Sequence, residues 1–202
     1  MKANKITLNK EVLIDLTQDT AVEEDVATGK TFHKADGSVG VGTAELADPT
    51  WIPFIEGRED TLNIPTVTKI DNYFFYNNYN IQTITMPNVT KIGVAAFFKC
   101  ERFYLFELPD KLERIEDSAF AYTRVMMHSI PASVKHIGTS AFQYCDYLTS
   151  ITFKGKPATL KYGIFTSCKN LTTLNVPWAE GEVSGAPWGA ANATINYNYT
   201  GE

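Results

Sequence analysis

The chain has 202 residues, of which 44% are hydrophobic, and its formal net charge at pH 7 is −5. This length allows one or two domains, and a negative charge without a basic stripe argues against a nucleic-acid partner. No apolar run approaches the roughly 18 residues of a membrane-spanning helix, and the N-terminus lacks the apolar core of a signal peptide, so we expect neither a membrane span nor Sec secretion.

Residues 1–48 are expected to form a small mixed α/β module. Apolar side chains alternate along two short stretches, as in strands with one buried face; they are Ile6 and Leu8, then Val12, Ile14 and Leu16. A Thr-Ala-Val-Glu capping box predicts a short helix over residues 21–28. Residues 30–33 then predict a strand, and an Ala-Asp-Gly turn leads into a returning strand over 38–43.

The stretch VLIDLTQDTAVEEDVATGKTFHKADGSVGVGT resembles a small module of bacteriophage tail and fibre proteins. The shared features are the LIDLT strand, the acidic helix start, the G-K-T-F-H run and an Asp-Gly turn before a final G-T. The resemblance implies a virion-attachment or fibre-building module, often trimeric. A unit of this size buries little core alone, so we expect it to pack on the rest of the chain or on other copies.

Residues 49–60 link this module to the rest of the chain. Their apolar side chains are too numerous for a free linker; they are Trp51, Ile52, Phe54 and Ile55. The open end of a repeat array exposes core and strand edges. The segment is therefore predicted to cap the first repeat.

A unit of 22 residues recurs in phase between residues 61 and 178. Its proline keeps a spacing of 22, at Pro65, Pro87, Pro109 and Pro131. Each of five copies also has a phenylalanine that is predicted to join one hydrophobic column: Phe75, Phe97, Phe120, Phe142 and Phe165. One unit cannot bury its apolar edge alone, so the copies must stack on one another. Residues 179–202 are predicted to form a C-terminal cap, with a terminal strand over 193–199.

The copies share the pattern I-P-x-x-V-x-x-I-G-x-x-A-F-x-x-C-x-x-L-x-x-I, which resembles the BspA-like class of bacterial leucine-rich repeats. The resemblance implies a right-handed solenoid with one short strand per turn in a parallel sheet. Ala141, Phe142 and Cys145 fall at helical spacing, so the expected fold class is α+β. Proteins of this class mostly bind other macromolecules, and catalysis is not their usual role.

Three cysteines, Cys100, Cys145 and Cys168, occupy the same position in their copies. We interpret them as small buried hydrophobes stacked along the solenoid, which fits assembly in a reducing cytoplasm. The alternative is a metal or redox site. No histidine pairs with an acidic residue at metal-ligand spacing, and neither a nucleophile elbow nor a P-loop occurs, so we expect no cofactor, metal or catalytic role.

The face of the predicted sheet carries the main candidate site. Side chains between the inward positions of a strand should face solvent, and in the outer copies they are polar. The two middle copies instead place Tyr104, Leu105, Met126 and Met127 there, which would form one exposed apolar patch and thus an interface. The alternative is that the third copy, one residue short after Phe120, is shifted and buries these side chains in part.

Two further features are ambiguous. His128 falls at an inward position, where it is either a half-buried, hydrogen-bonded histidine or a pH-sensitive contact. Tyr73, Tyr76 and Tyr79 either form an aromatic cluster that faces a ligand or fill gaps in a first, irregular copy.

These patterns together favour a non-enzymatic virion protein of a bacteriophage, assembled in the host cytoplasm. In this hypothesis residues 1–48 bind other virion proteins and form a homo-oligomer, with a trimer favoured. The repeats would display a surface to a host-surface protein or glycan. The alternative is a BspA-like adhesin on a bacterial cell surface.

Overall fold

The computed structural model describes residues 61–201 in full and, before them, only the backbone of four short strands. These are β1 (Lys5–Leu8), β2 (Glu11–Asp15), β3 (Thr31–His33) and β4 (Val39–Val41). β1 pairs antiparallel with β2, and β3 with β4, which confirms the four predicted strands. The predicted helix over 21–28 and the capping segment 49–60 lie outside the described residues. The chain divides into two compact units, Met1–Glu59 and Asp60–Glu202.

The second unit is a stack of coils joined by parallel strand pairing. Its strands are β5 (Thr61–Asn63), β6 (Lys69–Ile70), β7 (Thr83–Thr85), β8 (Lys91–Ile92), β9 (Arg114–Ile115), β10 (Ser129–Ile130), β11 (His136–Ile137), β12 (Ser150–Phe153), β13 (Thr159–Leu160), β14 (Thr173–Asn175) and β15 (Thr194–Asn196). One row is a continuous sheet in the order β13-β11-β9-β8-β6. The other row is a pair, β5-β7, and a sheet in the order β10-β12-β14-β15. The predicted parallel sheet is confirmed, although most coils contribute two strands rather than one. The right-handed sense of the coil stays a prediction.

Within residues 61–201 the chain forms no helix, so the helical turn expected in each copy, and with it the α+β class expected for the repeats, is wrong. The hydrogen bonds of the first coil show why. Tyr73, Phe75 and Asn77 each donate a backbone N–H to a carbonyl of the next coil, at 2.7–2.8 Å. The residues between them donate to carbonyls three positions back in their own coil. An α-helix would need every N–H for bonds inside the segment, whereas here half of them join neighbouring coils.

A single column of phenylalanine rings fills the centre of the stack, as predicted. Adjacent centroids in this column are 5.0, 5.3, 5.3 and 5.7 Å apart, and the interplanar angles do not exceed 18°. Its members, Phe75, Phe97, Phe120, Phe142 and Phe165, are all buried. The C-terminal end is closed by Trp178 and Trp188, which are buried against Phe153. The terminal strand predicted over 193–199 is confirmed as β15.

The cysteines form a second buried column beside the rings. Each thiol donates to the main-chain carbonyl of the phenylalanine in the preceding coil, at 2.8 Å for Cys100, 3.1 Å for Cys145 and 3.0 Å for Cys168. Burial raises the pKa of Cys100 and of Cys145 to about 12, and it also raises the pKa of Cys168. The interpretation as buried, stacked hydrophobes is therefore confirmed.

The register of the two middle copies differs from the predicted one. Leu105 and Met127 are core residues, with 5% and 1% of their surface exposed, while Phe106 is 59% exposed and His128 is exposed. The expected exposure of Leu105 and Met127, and the expected inward position of His128, are wrong. The alternative of a shifted, partly buried copy is correct.

The shift has a physical basis in the pairing of neighbouring coils. The Met126 N–H donates to the Leu105 carbonyl at 2.8 Å, so the two copies change register together. The shift buries two aliphatic side chains and leaves the imidazole of His128 in water, which avoids the cost of burying a polar group. Residues 103–108 form no strand, and the second row of strands is interrupted there.

A pair of adjacent substitutions tests this register. Leu105→Ser should lower the free energy of unfolding by about 3 kcal/mol, because it removes a buried apolar side chain and buries a hydroxyl. Phe106→Ser should change it by less than about 0.5 kcal/mol, since the ring is exposed. Urea unfolding followed by circular dichroism measures both. A larger loss for Phe106→Ser would show that the register is wrong.

The three cysteines should resist alkylation in the folded protein. A thiol with a pKa near 12 carries about a thousandfold less thiolate at pH 8 than an ordinary cysteine. We expect iodoacetamide to leave all three unmodified in the native chain and to modify all three in urea, as counted by mass spectrometry. An added Tyr162→Cys thiol at an exposed position is the matched control. Rapid native labelling of Cys145 would contradict the buried column.

Candidate binding surface

A continuous row of aromatic rings crosses four consecutive coils at the surface; its members are Tyr73, Tyr76, Phe98, Tyr122 and Tyr144, which we call the tyrosine strip. Tyr73, Tyr76 and Tyr144 are exposed, and Phe98 and Tyr122 are half-buried. Tyr76 stacks on Phe98 at 5.2 Å with an interplanar angle of 7°. Phe98 meets Tyr122 edge to face at 5.4 Å. Tyr122 stacks on Tyr144 at 4.5 Å and 20°, and Tyr73 meets Tyr76 edge to face at 5.9 Å. The strip is thus one connected surface.

The backbone between the two rows of strands positions these rings. Tyr76 and Phe98 directly follow the core phenylalanine of their coils, whereas Tyr122 and Tyr144 follow theirs by two residues. Tyr122 and Tyr144 have left-handed backbones, with φ of 61° and 57°. This conformation is unusual for a residue other than glycine. With this conformation, Tyr122 and Tyr144 lie in the same row as Tyr76 and Phe98, although they are one residue further from the core phenylalanine.

The sequence predicted part of this strip and missed the rest. Tyr73 and Tyr76 are 57% and 49% exposed. Tyr79, the third predicted residue, is also exposed, and its hydroxyl donates to Asn77 Oδ1 at 3.0 Å. Phe98, Tyr122 and Tyr144 were missed, because the offset of one residue hides their common column in an alignment of the copies. The available signal was an aromatic residue at one of the two positions after each of the first four core phenylalanines.

A lysine adds charge to the strip. Lys99 Nζ lies 5.8 Å from the centroid of Phe98 and 5.9 Å from that of Tyr122. Cation–π contacts at this distance are favourable even at exposed sites. Partial desolvation and the adjacent Tyr144 side chain raise the pKa of Tyr122.

The patch predicted on the sheet face exists in a reduced form. Tyr104 and Met126 are half-buried and partly accessible, whereas Leu105 and Met127 belong to the core. The exposed ring of Phe106 lies in the same middle copies, as does His128.

The carboxylate of Glu116, at the end of β9, is surrounded by basic side chains of the continuous sheet. Glu116 accepts from Arg114 Nε at 3.0 Å and from Lys91 Nζ at 3.2 Å, and His136 Nε2 lies 3.4 Å away. Burial opposes ionisation of Glu116, but these bonds hold its pKa below the ordinary value. Burial and Arg114 lower the pKa of His136. The cluster acts as an ion-pair network within the fold rather than as an anion-binding site.

No group of three His, Cys, Asp or Glu side chains among the described residues is placed to hold a metal ion. Among the same residues, no helix has the length and apolar character needed to cross a membrane.

Known proteins share the repeat architecture. A family model described as a BspA type leucine rich repeat region, with six copies, matches residues 68–183. A comparison with curated proteins found no match.

Solved structures align with this chain at low identity. The pneumococcal vaccine antigen PcpA aligns with a TM-score of 0.54 and 21% identity, over 72% of this chain and 36% of that one. A leucine-rich repeat protein from Bacteroides ovatus aligns at 0.49 and 22%, over 72% and 37%. A leucine-rich repeat protein from T. pallidum aligns at 0.44 and 22%, over 73% and 81%. The chain spans little more than a third of the length of the first two. Because the family model covers more than half of its residues, this chain belongs to the BspA-type leucine-rich repeat family.

Proposed function

We propose that this chain is a non-enzymatic display protein whose repeats present the tyrosine strip to a macromolecular partner. The observation that supports this is the connected row of exposed and half-buried rings from Tyr73 to Tyr144. Contiguous exposed apolar surface usually marks an interaction site in a soluble protein. Tyrosine is enriched in binding surfaces because it offers a large contact area and loses few rotatable bonds.

The strip is also rigid before any partner arrives. Main-chain N–H groups of Tyr122 and Tyr144 donate to the next coil at 2.8 and 3.0 Å, and each ring packs against its neighbour. Rings that are already ordered lose little entropy on binding, and this raises affinity for a given contact area. The solenoid thus acts as a scaffold for a preorganised surface.

The stacking geometry favours a protein over a glycan as the partner. Sugars bind aromatic residues by lying on open ring faces. In the strip the inner faces of Tyr76 and Phe98 cover each other, as do those of Tyr122 and Tyr144. Little open ring face remains for a sugar, and the phenol hydroxyl groups beside apolar ring surface suit the mixed apolar and polar contacts of a protein interface.

We place this display protein in a bacteriophage virion, where residues 1–48 would attach it to other virion proteins as a trimer. The support is the resemblance of that module to tail and fibre proteins. A host-surface protein would then be the partner of the strip. A bacterial cell-surface adhesin remains the alternative placement, since the repeats would serve either role.

Substitutions in the strip should reduce binding to host cells. We expect the Tyr76→Ser, Tyr144→Ser double variant to bind at least tenfold more weakly, as loss of two interface tyrosines commonly costs more than 1.4 kcal/mol. The probe is the fluorescently labelled full chain, measured on intact host bacteria by flow cytometry. Tyr162→Ser, at a site that is 77% exposed and outside the strip, is the matched control. Equal loss in the control, or none in the double variant, would reject the strip.

Immunogold electron microscopy separates the two placements. Antibodies against the purified chain should label one fixed position on phage particles from a lysate of the producing culture. Label on cell surfaces and not on particles would favour the adhesin. Absence of label from both would overturn the display proposal in either form.

A further inference from the structure

We infer that Tyr122 and Tyr144 form a site for an oxidative cross-link, in which a carbon–carbon bond between the two phenol rings would join consecutive coils. Their centroids are 4.5 Å apart with an interplanar angle of 20°. This is the shortest ring contact in the strip, and both members are phenols. Tyr144 is 39% exposed and Tyr122 is half-buried, so a diffusible oxidant can reach the pair.

The stacked arrangement brings the two phenol rings face to face. At a centroid separation of 4.5 Å and an interplanar angle of 20°, the carbon atoms of one ring lie over those of the other. The atoms that would react are the ortho carbons, which lie next to the hydroxyl group of each ring. These ortho carbons carry much of the unpaired electron density once a phenol loses an electron and a proton. The stacked pair thus holds the two reacting rings together before any oxidation occurs.

The reaction balances with hydrogen peroxide and a haem peroxidase as the oxidising system. Each phenol gives up one electron and its hydroxyl proton, which forms two phenoxyl radicals. The two ortho carbons then bond, and each ring shifts its ortho hydrogen to restore a phenol hydroxyl. The pair loses two electrons and two protons in total, and one hydrogen peroxide takes them up to form two molecules of water.

Other tyrosines in residues 61–201 are less suitably placed. Tyr73 and Tyr76 meet edge to face at 63°, so their ortho carbons are not aligned. The ring that stacks on Tyr76 is Phe98, which has no phenol to oxidise. The ring of Tyr147 has a cation as a neighbour, because Arg124 lies 5.7 Å from its centroid. Holding two reactants in contact raises their effective concentration to roughly 10⁵ M or more. Coupling within the pair should therefore outrun coupling between molecules.

The bond would stabilise the solenoid without altering its core. It would tie the third and fourth copies together through surface rings, and a covalent link between coils reduces the freedom of the unfolded chain. This role is independent of the proposed partner, because it concerns only the two rings and an oxidant. A display protein that acts outside a cell would gain resistance to unfolding by it.

The test uses the full chain with horseradish peroxidase and limiting hydrogen peroxide. We expect blue dityrosine fluorescence in a band that stays monomeric on a denaturing gel, and a mass lower by two hydrogen atoms. Peptide mapping should place the bond between Tyr122 and Tyr144. Tyr122→Phe and Tyr144→Phe keep the ring stack, as Phe98 does in the same strip, and each should abolish the monomeric product. Tyr162→Phe, with the most exposed tyrosine removed, should leave its yield unchanged.

The opposite results would overturn the inference. Undiminished monomeric cross-link in either Tyr122→Phe or Tyr144→Phe would assign the bond to another pair. A wild-type chain that yields only covalent dimers, or no dityrosine, would show that the stacked pair does not couple. Circular dichroism of each variant confirms that the fold is retained. Cross-linked wild-type chain should also melt at a higher temperature than Tyr144→Phe after the same treatment.

Discussion

The contact between one coil and the next is the interaction on which the whole solenoid depends. The rings of the phenylalanine column find stacking partners in adjacent coils. The cysteine thiols donate to the preceding coil, and every second N–H of the turn segment donates to the following one. A single coil satisfies few of these groups by itself. Stability must then rise with the number of stacked coils, as expected for a one-dimensional repeat array.

The contact between coils also explains how the chain tolerates a backbone conformation that is unfavourable for residues other than glycine. Many residues other than glycine have left-handed φ, and they recur at two positions in the coils; examples are Ala95 and Lys99, Ser118 and Tyr122, and Ser140 and Tyr144. Each costs about 1–2 kcal/mol relative to a right-handed conformation. Their N–H groups donate to the adjacent coil at 2.8–3.3 Å, so intercoil bonding offsets the local strain. Hydrogen bonds between coils thus outweigh the backbone preference of the individual residues. For this reason, the helical spacing in the sequence did not produce a helix.

Features that the repeat pattern alone determines could be predicted from the sequence, whereas features that depend on contacts between particular coils could not. The column from Phe75 to Phe165 and the buried cysteines were predictable, because a strict repeat places one residue type at one depth. The inward positions of Leu105 and Met127 were not, since they depend on two neighbouring coils shifting together. The polar side chain of His128 at a supposed core position was the one local sign of that shift. Tyr122 and Tyr144 were missed for a related reason, as a one-residue offset separates them from Tyr76 and Phe98.

The scaffold also determines which surface can act. On the continuous sheet, Lys91 and Arg114 lie on neighbouring strands, where like charges would repel, and Glu116 pairs with both. These charged groups are therefore engaged within the fold. The tyrosine strip differs, because its rings contact one another, face to face between Tyr122 and Tyr144 and edge to face between Phe98 and Tyr122. Rings held in place by their neighbours lose little entropy when a partner covers them. We therefore propose the strip, rather than the sheet, as the binding surface of the solenoid.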